Sequence, residues 1–308
     1  MLIHIYTSDL SSIKPLLKDF YIPPPFSHKG QNGKILIIGG SSLFHAPVLW
    51  VAEIASHFVD MVHFTSTEEN NEIFVALKKK FQNGMVVKMS DLENYINEDD
   101  AIAVGSGMMR TQERLKPEID YTIRNLNELA QIEHEGIKTY YFVKHIIAKA
   151  KHKKIVFDAG ALQMMDPAWL LKLDQKPIVT PHQKEFERLF GIPVDKLSEE
   201  KKITIVTQTA RDYHCIILLK AVIDIISDGT TTYVVRGGNQ GLTKGGSGDI
   251  LAGLSCALYA KNEALFSAVL ASYFLKRTAD ELYKSKGFWY NSADLIDKIP
   301  QIVKEIAL

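Results

Sequence analysis

The strongest constraint on the fold of this 308-residue chain is an alternation between short, β-branched apolar runs and longer helical patterns. The runs read KILIIGG, DMVHFTS, GMVVKM, AIAVGSG, KKIVFDAG, PIVTPH, TIVTQT and CIILLK. Continuous apolar runs of this length are typical of strands covered on both faces, as in a parallel sheet with crossover helices. The sequence therefore predicts an α/β domain around a mostly parallel central sheet.

Two segments should depart from that parallel body. The late pair VIDIIS and TTYVVRGG is interrupted by Asp228-Gly229, which favours a tight hairpin and hence a late antiparallel edge. Near the start, the three prolines of YIPPPF fix an extended path. We therefore predict that residues 1–25 form an N-terminal arm outside the sheet, and that residues 26–308 form a single domain.

The overall charge argues against several classes of partner. The chain has 36 Lys+Arg and 36 Asp+Glu, so no general attraction to nucleic acid or to an anionic membrane is expected. No apolar run approaches the ~18 residues of a membrane span, and the start does not read as a signal peptide. We expect a soluble, cytoplasmic protein that binds neither nucleic acid nor membrane.

The remaining composition signals point to ordinary structure. Cys215 and Cys256 lie in apolar surroundings, which indicates two buried core residues rather than a disulfide or metal site. The charged stretch 111–153 predicts helices with one solvated face, on the spacing of Ile119, Ile123, Leu126 and Leu129.

One stretch calls for a local explanation: GLTKGGSGDI, residues 241–250, carries four glycines and leads into the apolar run ILAGLSCALYA. The apolar run predicts a buried helix whose first turn contains Gly248 or Asp249. A helix start has unpaired N–H groups and partial positive charge, and glycines allow an anion to approach them. Although Lys244 is present, the Gly-Lys-Ser/Thr ending of a Walker loop is absent. The stretch therefore predicts a phosphate-binding loop of another kind.

Asp249 allows two interpretations on this stretch alone. It is either an acidic residue favoured near any helix start, or a general base that takes a proton from a substrate hydroxyl as that oxygen attacks phosphorus. The residue types do not decide between them.

Several motifs in fixed order carry a family resemblance. They are HKGQNGKILIIGGS (28–41), AP (46–47), VGSG (104–107), FDAGAL (157–162), TPHQKEF (180–186), LLKA (218–221) and GNQGLTKGGSGDILAGL (238–254). Together they resemble the ADP/ATP-dependent NAD(P)H-hydrate dehydratases of the ribokinase-like superfamily. The resemblance implies a three-layer α/β/α ribokinase-like fold.

The resemblance also implies an activity. A ring hydroxyl of hydrated NADH or NADPH accepts phosphoryl from ADP or ATP, and the phosphate then leaves to restore the double bond. Mg²⁺ is implied by phosphoryl transfer, since no metal-ligand cluster is visible in the sequence. A homo-oligomer, such as a tetramer, is a further implication. Only about 27 residues precede the HKG motif, so we expect any epimerase on a separate chain.

The family pattern assigns roles to residues of this chain. Asp249 is the expected catalytic residue and lies against the substrate hydroxyl. The expected nucleotide-binding residues are Lys220, Ala221, Val222, Ile223, Asp224, Gly245, Gly246, Ser247 and Gly248. Ala46, Gly107 and His182 are expected to line the hydrated dinucleotide, together with Asp249. Gly39, Gly40 and Ser41 either bind a ligand or form a tight turn, whereas His28, Lys29 and Gly30 look like a structural lead-in.

The chain departs from the family pattern at several positions. Gly160 replaces a second aspartate, Ala221 a glycine and Ser106 a proline, and the 42–47 stretch is short, with Phe44 and His45 at altered positions. Two alternatives to the dehydratase therefore stay open: a ribokinase-like kinase of a small alcohol such as a hydroxyethylthiazole, and a nucleotide-binding protein without catalysis.

Overall fold

A computed structural model describes residues 1–112 and 126–308 of the chain. Its centre is a ten-stranded sheet with the order β1-β10-β9-β8-β7-β6-β5-β2-β3-β4. The strands are β1 (Leu2–Tyr6), β2 (Lys34–Ile38), β3 (Met61–Thr65), β4 (Gly84–Val86), β5 (Ala101–Val104), β6 (Lys154–Phe157), β7 (Ile178–Val179), β8 (Ile216–Leu219), β9 (Asp224–Ser227) and β10 (Thr232–Arg236). From β4 to β8 every neighbouring pair is parallel, as predicted.

Helices cover both faces of this sheet. They are α1 (Lys14–Leu17), α2 (Ala46–Ala55), α3 (Glu68–Ala76), α4 (Leu92–Glu98), α5 (Leu126–Ala130), α6 (Glu135–Lys149), α7 (Ala159–Met164), α8 (Gln183–Phe190), α9 (Glu199–Asp212), α10 (Ser247–Lys261), α11 (Ala264–Lys286) and α12 (Ser292–Ala307). One face carries α2, α10, α11 and α12, and the other carries α4 and α6 to α9. The result is the predicted three-layer α/β/α arrangement.

The alternation of strand side chains divides the core in two. On β2, Ile35 and Ile37 pack with the α10 side, whereas Leu36 and Ile38 pack with the α6 side. Successive side chains of a strand point to opposite faces, so a strand buried on both faces must be apolar at every position. This explains why the strand segments read as continuous apolar runs rather than alternating ones.

The predicted hairpin forms between β9 and β10, which pair antiparallel. At its turn, the Asp228 carboxylate accepts bonds from the N–H groups of Thr230 and Thr231, and Gly229 has a φ of 89°. The prediction that the first residues lie outside the sheet is wrong, because β1 pairs in parallel with β10 and forms the outermost strand. The prolines at positions 23–25 come after that strand, so they shape the link to β2 and place no restriction on β1.

A second correction concerns TIVTQT, which lies inside α9 and not in a strand. Its β-branched residues favour a strand, but Ile203, Val206 and Ala210 recur at helical spacing and pack in or against the core of the α6 side. Ser198 caps the helix by accepting from Lys201 N–H. Tertiary packing and the cap therefore override local propensity.

Other expectations are confirmed. Cys215 and Cys256 are fully buried and unpaired, and burial raises the pKa of both thiols. In the charged stretch, α6 is helical and Leu126 and Leu129 of α5 are buried, whereas Ile119 and Ile123 lie outside the described residues. Across the part of the chain that is described, the helices are too short or too polar to cross a bilayer.

Candidate active site

The glycine-rich loop turns sharply into α10, as the sequence predicts. Gly246 is the N-cap with a φ of 100°, and a Cβ there would lie 2.2 Å from Ser292 Oγ, so only glycine fits. Lys244 Nζ donates to the carbonyls of Phe288 and Tyr290. Lys244 thus anchors the loop to the segment before α12 and does not face a ligand.

The start of α10 offers main-chain donors. The first N–H groups of a helix have no intrahelical acceptor, and in the described residues no protein acceptor bonds the N–H groups of residues 245–248. A Cβ built on Gly245 would meet nothing within 4 Å, and one on Gly248 would meet only Lys220 Nζ, at 3.4 Å. These N–H groups are therefore open to an anion, which the helix dipole also favours.

Asp249 lies in the first turn of α10, beside those donors. Burial and the charge of Asp158 raise the pKa of Asp249 to about 7, although a hydrogen bond from Ser106 and the ammonium of Lys220 favour its charged form. A carboxyl that titrates near neutral pH accepts a proton more readily than an ordinary carboxylate, which suits a general base. A hydrogen bond from its own backbone N–H also favours the charged form.

Asp158 follows β6 and holds three loops together. Its Oδ1 accepts hydrogen bonds from Thr180 Oγ1 and from Lys220 Nζ, both at 2.7 Å. Its Oδ2 accepts a longer bond from Ser106 Oγ, at 3.4 Å. Because these partners follow β7, β8 and β5, Asp158 joins the carboxyl ends of neighbouring strands.

Lys220 supplies the positive charge of the site. Its Nζ also lies 3.9 Å from Glu185 Oε2 and next to Gly248. Burial opposes the charge on Lys220, but the carboxylates of Asp158 and Glu185 outweigh that effect and raise its pKa. The ammonium therefore stays charged at the start of α10, where it adds to the attraction for an anion.

His182 begins α8 and has both of its ring nitrogens oriented. Nδ1 accepts from the N–H groups of Lys184 and Glu185, and the Glu185 carboxylate accepts from the His182 N–H, which completes a capping box. Since Nδ1 is an acceptor, the neutral ring carries its proton on Nε2. The half-exposed Nε2–H lies 3.5 Å from Glu185 Oε1 and is a hydrogen-bond donor for the site.

The predicted nucleotide segment, residues 220–224, connects the end of β8 to the first residue of β9, and we call it the 220–224 loop. Lys276 of α11 is buried, donates to the carbonyls of Ala221 and Val222 at 3.2 Å and 2.9 Å, and lies 3.4 Å from Asp224 Oδ1. Asp224 is buried as well and accepts from Ala221 N–H and from Ser272 Oγ. Val222 is 89% exposed, so the loop presents its main chain and this apolar side chain outward, with Ile223 partly buried.

The predicted substrate positions Ala46 and Gly107 lie in the segments that follow β2 and β5. Gly107 has a φ of 74°, and a Cβ on it would lie 3.1 Å from both Gly40 Cα and Pro47. Gly40 N–H donates to the Ser106 carbonyl at 2.8 Å. The loops after β2 and β5 are therefore in direct contact, and Ala46 begins α2 at this contact.

A sequence model of the NAD(P)H-hydrate dehydratase family matches residues 35–301. The chain belongs to this family. It is 33% identical over 283 residues to a bifunctional NAD(P)H-hydrate repair enzyme of Methanocaldococcus jannaschii, covering 90% of this chain and 49% of that protein. It is 27% identical over 290 residues to an ADP-dependent (S)-NAD(P)H-hydrate dehydratase of Nitrosopumilus maritimus, covering 90% and 91%. The chain thus spans about half the length of the bifunctional relatives.

Solved structures show the same fold. A ribokinase-like superfamily protein of Enterococcus faecalis superposes with a TM-score of 0.77 at 18% identity, covering 99% of this chain and 96% of that one. An ADP/ATP-dependent NAD(P)H-hydrate dehydratase of Bacillus subtilis, co-crystallised with ATP and Mg²⁺, gives a TM-score of 0.74 at 21% identity, covering 95% and 96%. The ribokinase-like fold is thereby confirmed.

Steric crowding explains why this dehydratase-family chain has a glycine at position 160. A Cβ on Gly160 would lie 2.2 Å from the Met108 carbonyl oxygen and 2.7 Å from Met108 Cβ. Met108 occupies the space that a side chain at position 160 would need. Asp158 therefore contributes the carboxylate of this segment to the site without a second one beside it.

The altered 42–47 stretch is tied to two helices. Ser42 donates through N–H and Oγ to Glu135 of α6, at 2.8 Å and 2.7 Å. His45 Nδ1 hydrogen-bonds the Asn70 side chain of α3, and Asn70 Nδ2 donates to the Ser41 carbonyl. The short loop is thus well anchored beside the predicted substrate positions.

Sequence reasoning missed some members of this dehydratase-family site. From the sequence, Asp158 is recognisable only as a residue at the end of a strand, and Glu185 is not among the predicted site residues. Lys276 had a usable signal, since a lysine in the apolar stretch VLASYFLKRTA needs a buried partner. Ser106 appears in the sequence only as a departure from proline, and its contact with Asp249 depends on the fold.

Proposed function

We propose that the protein dehydrates hydrated NADH or NADPH in a nucleotide-dependent reaction. The observation that carries the proposal is Asp249, whose pKa of about 7 places a neutral-pH base beside the open N–H groups of residues 245–248. In the first step, Asp249 takes the proton of the ring hydroxyl, whose oxygen attacks the terminal phosphorus of ADP or ATP. The nucleotide leaves with one phosphate fewer, as AMP from ADP or as ADP from ATP.

In the second step, the phosphate ester is eliminated. The C–O bond breaks with its electron pair going to inorganic phosphate. A proton passes from the neighbouring ring carbon to water, and the electron pair of that C–H bond restores the nicotinamide double bond. Phosphate is a far better leaving group than hydroxide, which is why phosphorylation helps a dehydration. His182, as an Nε2–H donor, is suited to hold a substrate oxygen during both steps.

The nucleotide is proposed to lie between α10 and the 220–224 loop. The N–H groups of residues 245–248 would hold its terminal phosphates, and Lys220 would add positive charge. The main chain of residues 221–223, supported by Lys276, would contact the nucleoside.

Mg²⁺ would neutralise charge on the transferred phosphoryl group. In residues 1–112 and 126–308, no group of three or more His, Cys, Asp or Glu side chains could hold a metal ion. We therefore propose that Mg²⁺ would be held mainly through the phosphates of the nucleotide, where it would supply positive charge.

The test is recovery of the near-ultraviolet absorbance of reduced nicotinamide when purified protein is incubated with hydrated NADH or NADPH and ADP or ATP. No recovery with any of the four combinations would overturn the proposal. Accumulation of a phosphorylated small alcohol without release of phosphate would instead favour the alcohol kinase. Thermal stabilisation by ADP with no turnover would favour a binding protein.

A cytoplasmic location, a homo-oligomer and an epimerase on a separate chain also belong to the proposal. The relatives named as bifunctional repair enzymes support a link to a second activity. Sedimentation of the purified protein tests the oligomer, and a single monomer species would contradict it.

A further inference from the structure

A cavity of about 870 Å³ lies at the carboxyl ends of β2 to β5, apart from the glycine loop and the 220–224 loop. Gly39, Gly40 and Ser41 after β2, Lys88 after β4 and Met108 after β5 contribute to its wall. Small-molecule sites in proteins usually measure ~300–1,000 Å³. The cavity is therefore large enough for a substantial part of a ligand.

The cavity continues a row of sites along one edge of the sheet. Along the order β8-β7-β6-β5-β2-β3, Lys220 follows β8, Asp158 follows β6, Gly107 follows β5 and Gly40 follows β2. The cavity comes next, toward β3. Gly40 both touches Gly107 and lines the cavity. Strands lie about 4.8 Å apart, so β3 is roughly 14 Å from β6. A ligand that reaches from Asp249 to the far wall of the cavity, near β3, must therefore be long.

The cavity wall combines charged and apolar groups. Lys88 lies after β4 and Lys138 on α6, while Glu68 and Glu72 follow each other by one turn on α3. None of these four side chains forms an ion pair with any residue of the described chain, although each lines the cavity. Apolar surface comes from Val75, Met89, Met108, Leu129 and Phe142. Such a wall offers cations for phosphate, carboxylates for hydroxyl or amino groups, and apolar surface for a flat base.

We propose that this cavity binds the adenosine phosphate half of the hydrated dinucleotide, with Lys88 and Lys138 contacting its phosphate. The inference rests on the proposed function, because it places the reacting ring at Asp249 and asks where the rest of the substrate lies. The nucleotide co-substrate shares adenosine phosphate chemistry, but its proposed site is on the far side of Asp158, at β8. The cavity then selects a dinucleotide over a short alcohol, which would leave it empty.

The test is equilibrium binding, measured by calorimetry, of NADH and of reduced nicotinamide mononucleotide, which lacks the adenosine phosphate half. The variant is Lys88→Gln/Lys138→Gln, and the control is Lys304→Gln, an exposed lysine in the last turn of α12. We expect the double variant to raise the Kd for NADH about tenfold, since two charge-assisted contacts with phosphate are lost. The Kd values for the mononucleotide and for ADP should not change.

An unchanged Kd for NADH in the double variant would overturn the inference, and so would an equal weakening of NADH and mononucleotide. A weakened Kd for ADP would assign the cavity to the co-substrate and would likewise overturn it. These measurements do not depend on turnover. Failure to dehydrate the hydrate would therefore overturn the proposed function separately.

Discussion

Lys220 and Asp158 form an ion pair across the carboxyl ends of β8 and β6, with Nζ and Oδ1 separated by 2.7 Å. The carboxylate is almost fully buried and the ammonium largely so. The carboxylates of Asp158 and Asp249 repel each other, and the Lys220 ammonium offsets this repulsion because it attracts both. It therefore links the stability of the domain to the protonation of the proposed base.

Removing the cation alone should be costly. Lys220→Met leaves Asp158 buried without its ammonium, and we expect a loss of about 3–5 kcal/mol in the free energy of unfolding. Urea denaturation measures this. Lys220→Met/Asp158→Asn should recover part of the loss, because no uncompensated charge remains. If the double variant lost more free energy of unfolding than the two single variants lose together, the role of the pair would be contradicted.

Asp249→Asn should lower turnover of the hydrated dinucleotide by about 10²–10⁴, the usual contribution of a general base. In the unmodified protein, the rate should rise as pH increases through about 7, because the base acts in its deprotonated form. ADP binding, measured by calorimetry, should change little in the variant. A turnover rate that does not change between about pH 6 and pH 8 would contradict the assignment of Asp249 as the general base.

The same carboxyl should affect stability in the opposite direction. Its pKa is raised from 3.8 to about 7 on folding, so between those values the folded state binds more protons than the unfolded state. Stability contributed by this group is therefore lost as pH rises through that window. We expect Asp249→Asn to increase Tm relative to the unmodified protein more at alkaline than at acid pH. A Tm difference that does not vary with pH would argue against a raised pKa.

Ser106→Ala tests the hydroxyl that contacts both acids. Because its hydrogen bond favours the charged form of Asp249, its loss should raise the pKa of that residue further. The midpoint of the pH–rate profile should move upward, by up to about one pH unit. Ser255→Ala is the matched control, since that hydroxyl donates to Leu251 within α10. An unmoved midpoint with a reduced maximal rate would mean that Ser106 acts only on packing.

Gly160→Asp, which restores the residue common in the family, should destabilise the protein. The new Cβ would lie 2.2 Å from the Met108 carbonyl oxygen, and such overpacking costs about 1–3 kcal/mol or more. Gly160→Ala should show most of the same loss. Gly245→Ala, with open space around its Cβ position, should alter stability by less than about 0.5 kcal/mol. Equal effects at the two glycines would contradict the steric explanation.

Sequence patterns were a good guide to the parallel strands and the hairpin, because periodicity and turn residues act locally. They failed at TIVTQT, where helical packing of Val206 and Ala210 outweighs β-branched propensity. They also failed at β1, whose pairing with β10 joins residues some 230 positions apart along the chain. No local pattern encodes a partner at that separation.

The site divides in the same way. The sequence by itself determined the kinds of chemistry available: a glycine-rich helix start, an aspartate after it, and apolar strands that end in polar residues. Only the tertiary structure decided that Ser106, Asp158 and Lys220, which follow three different strands, lie around Asp249. The raised pKa of that carboxyl depends on burial and on neighbouring charge, and both exist only once distant parts of the chain are packed together.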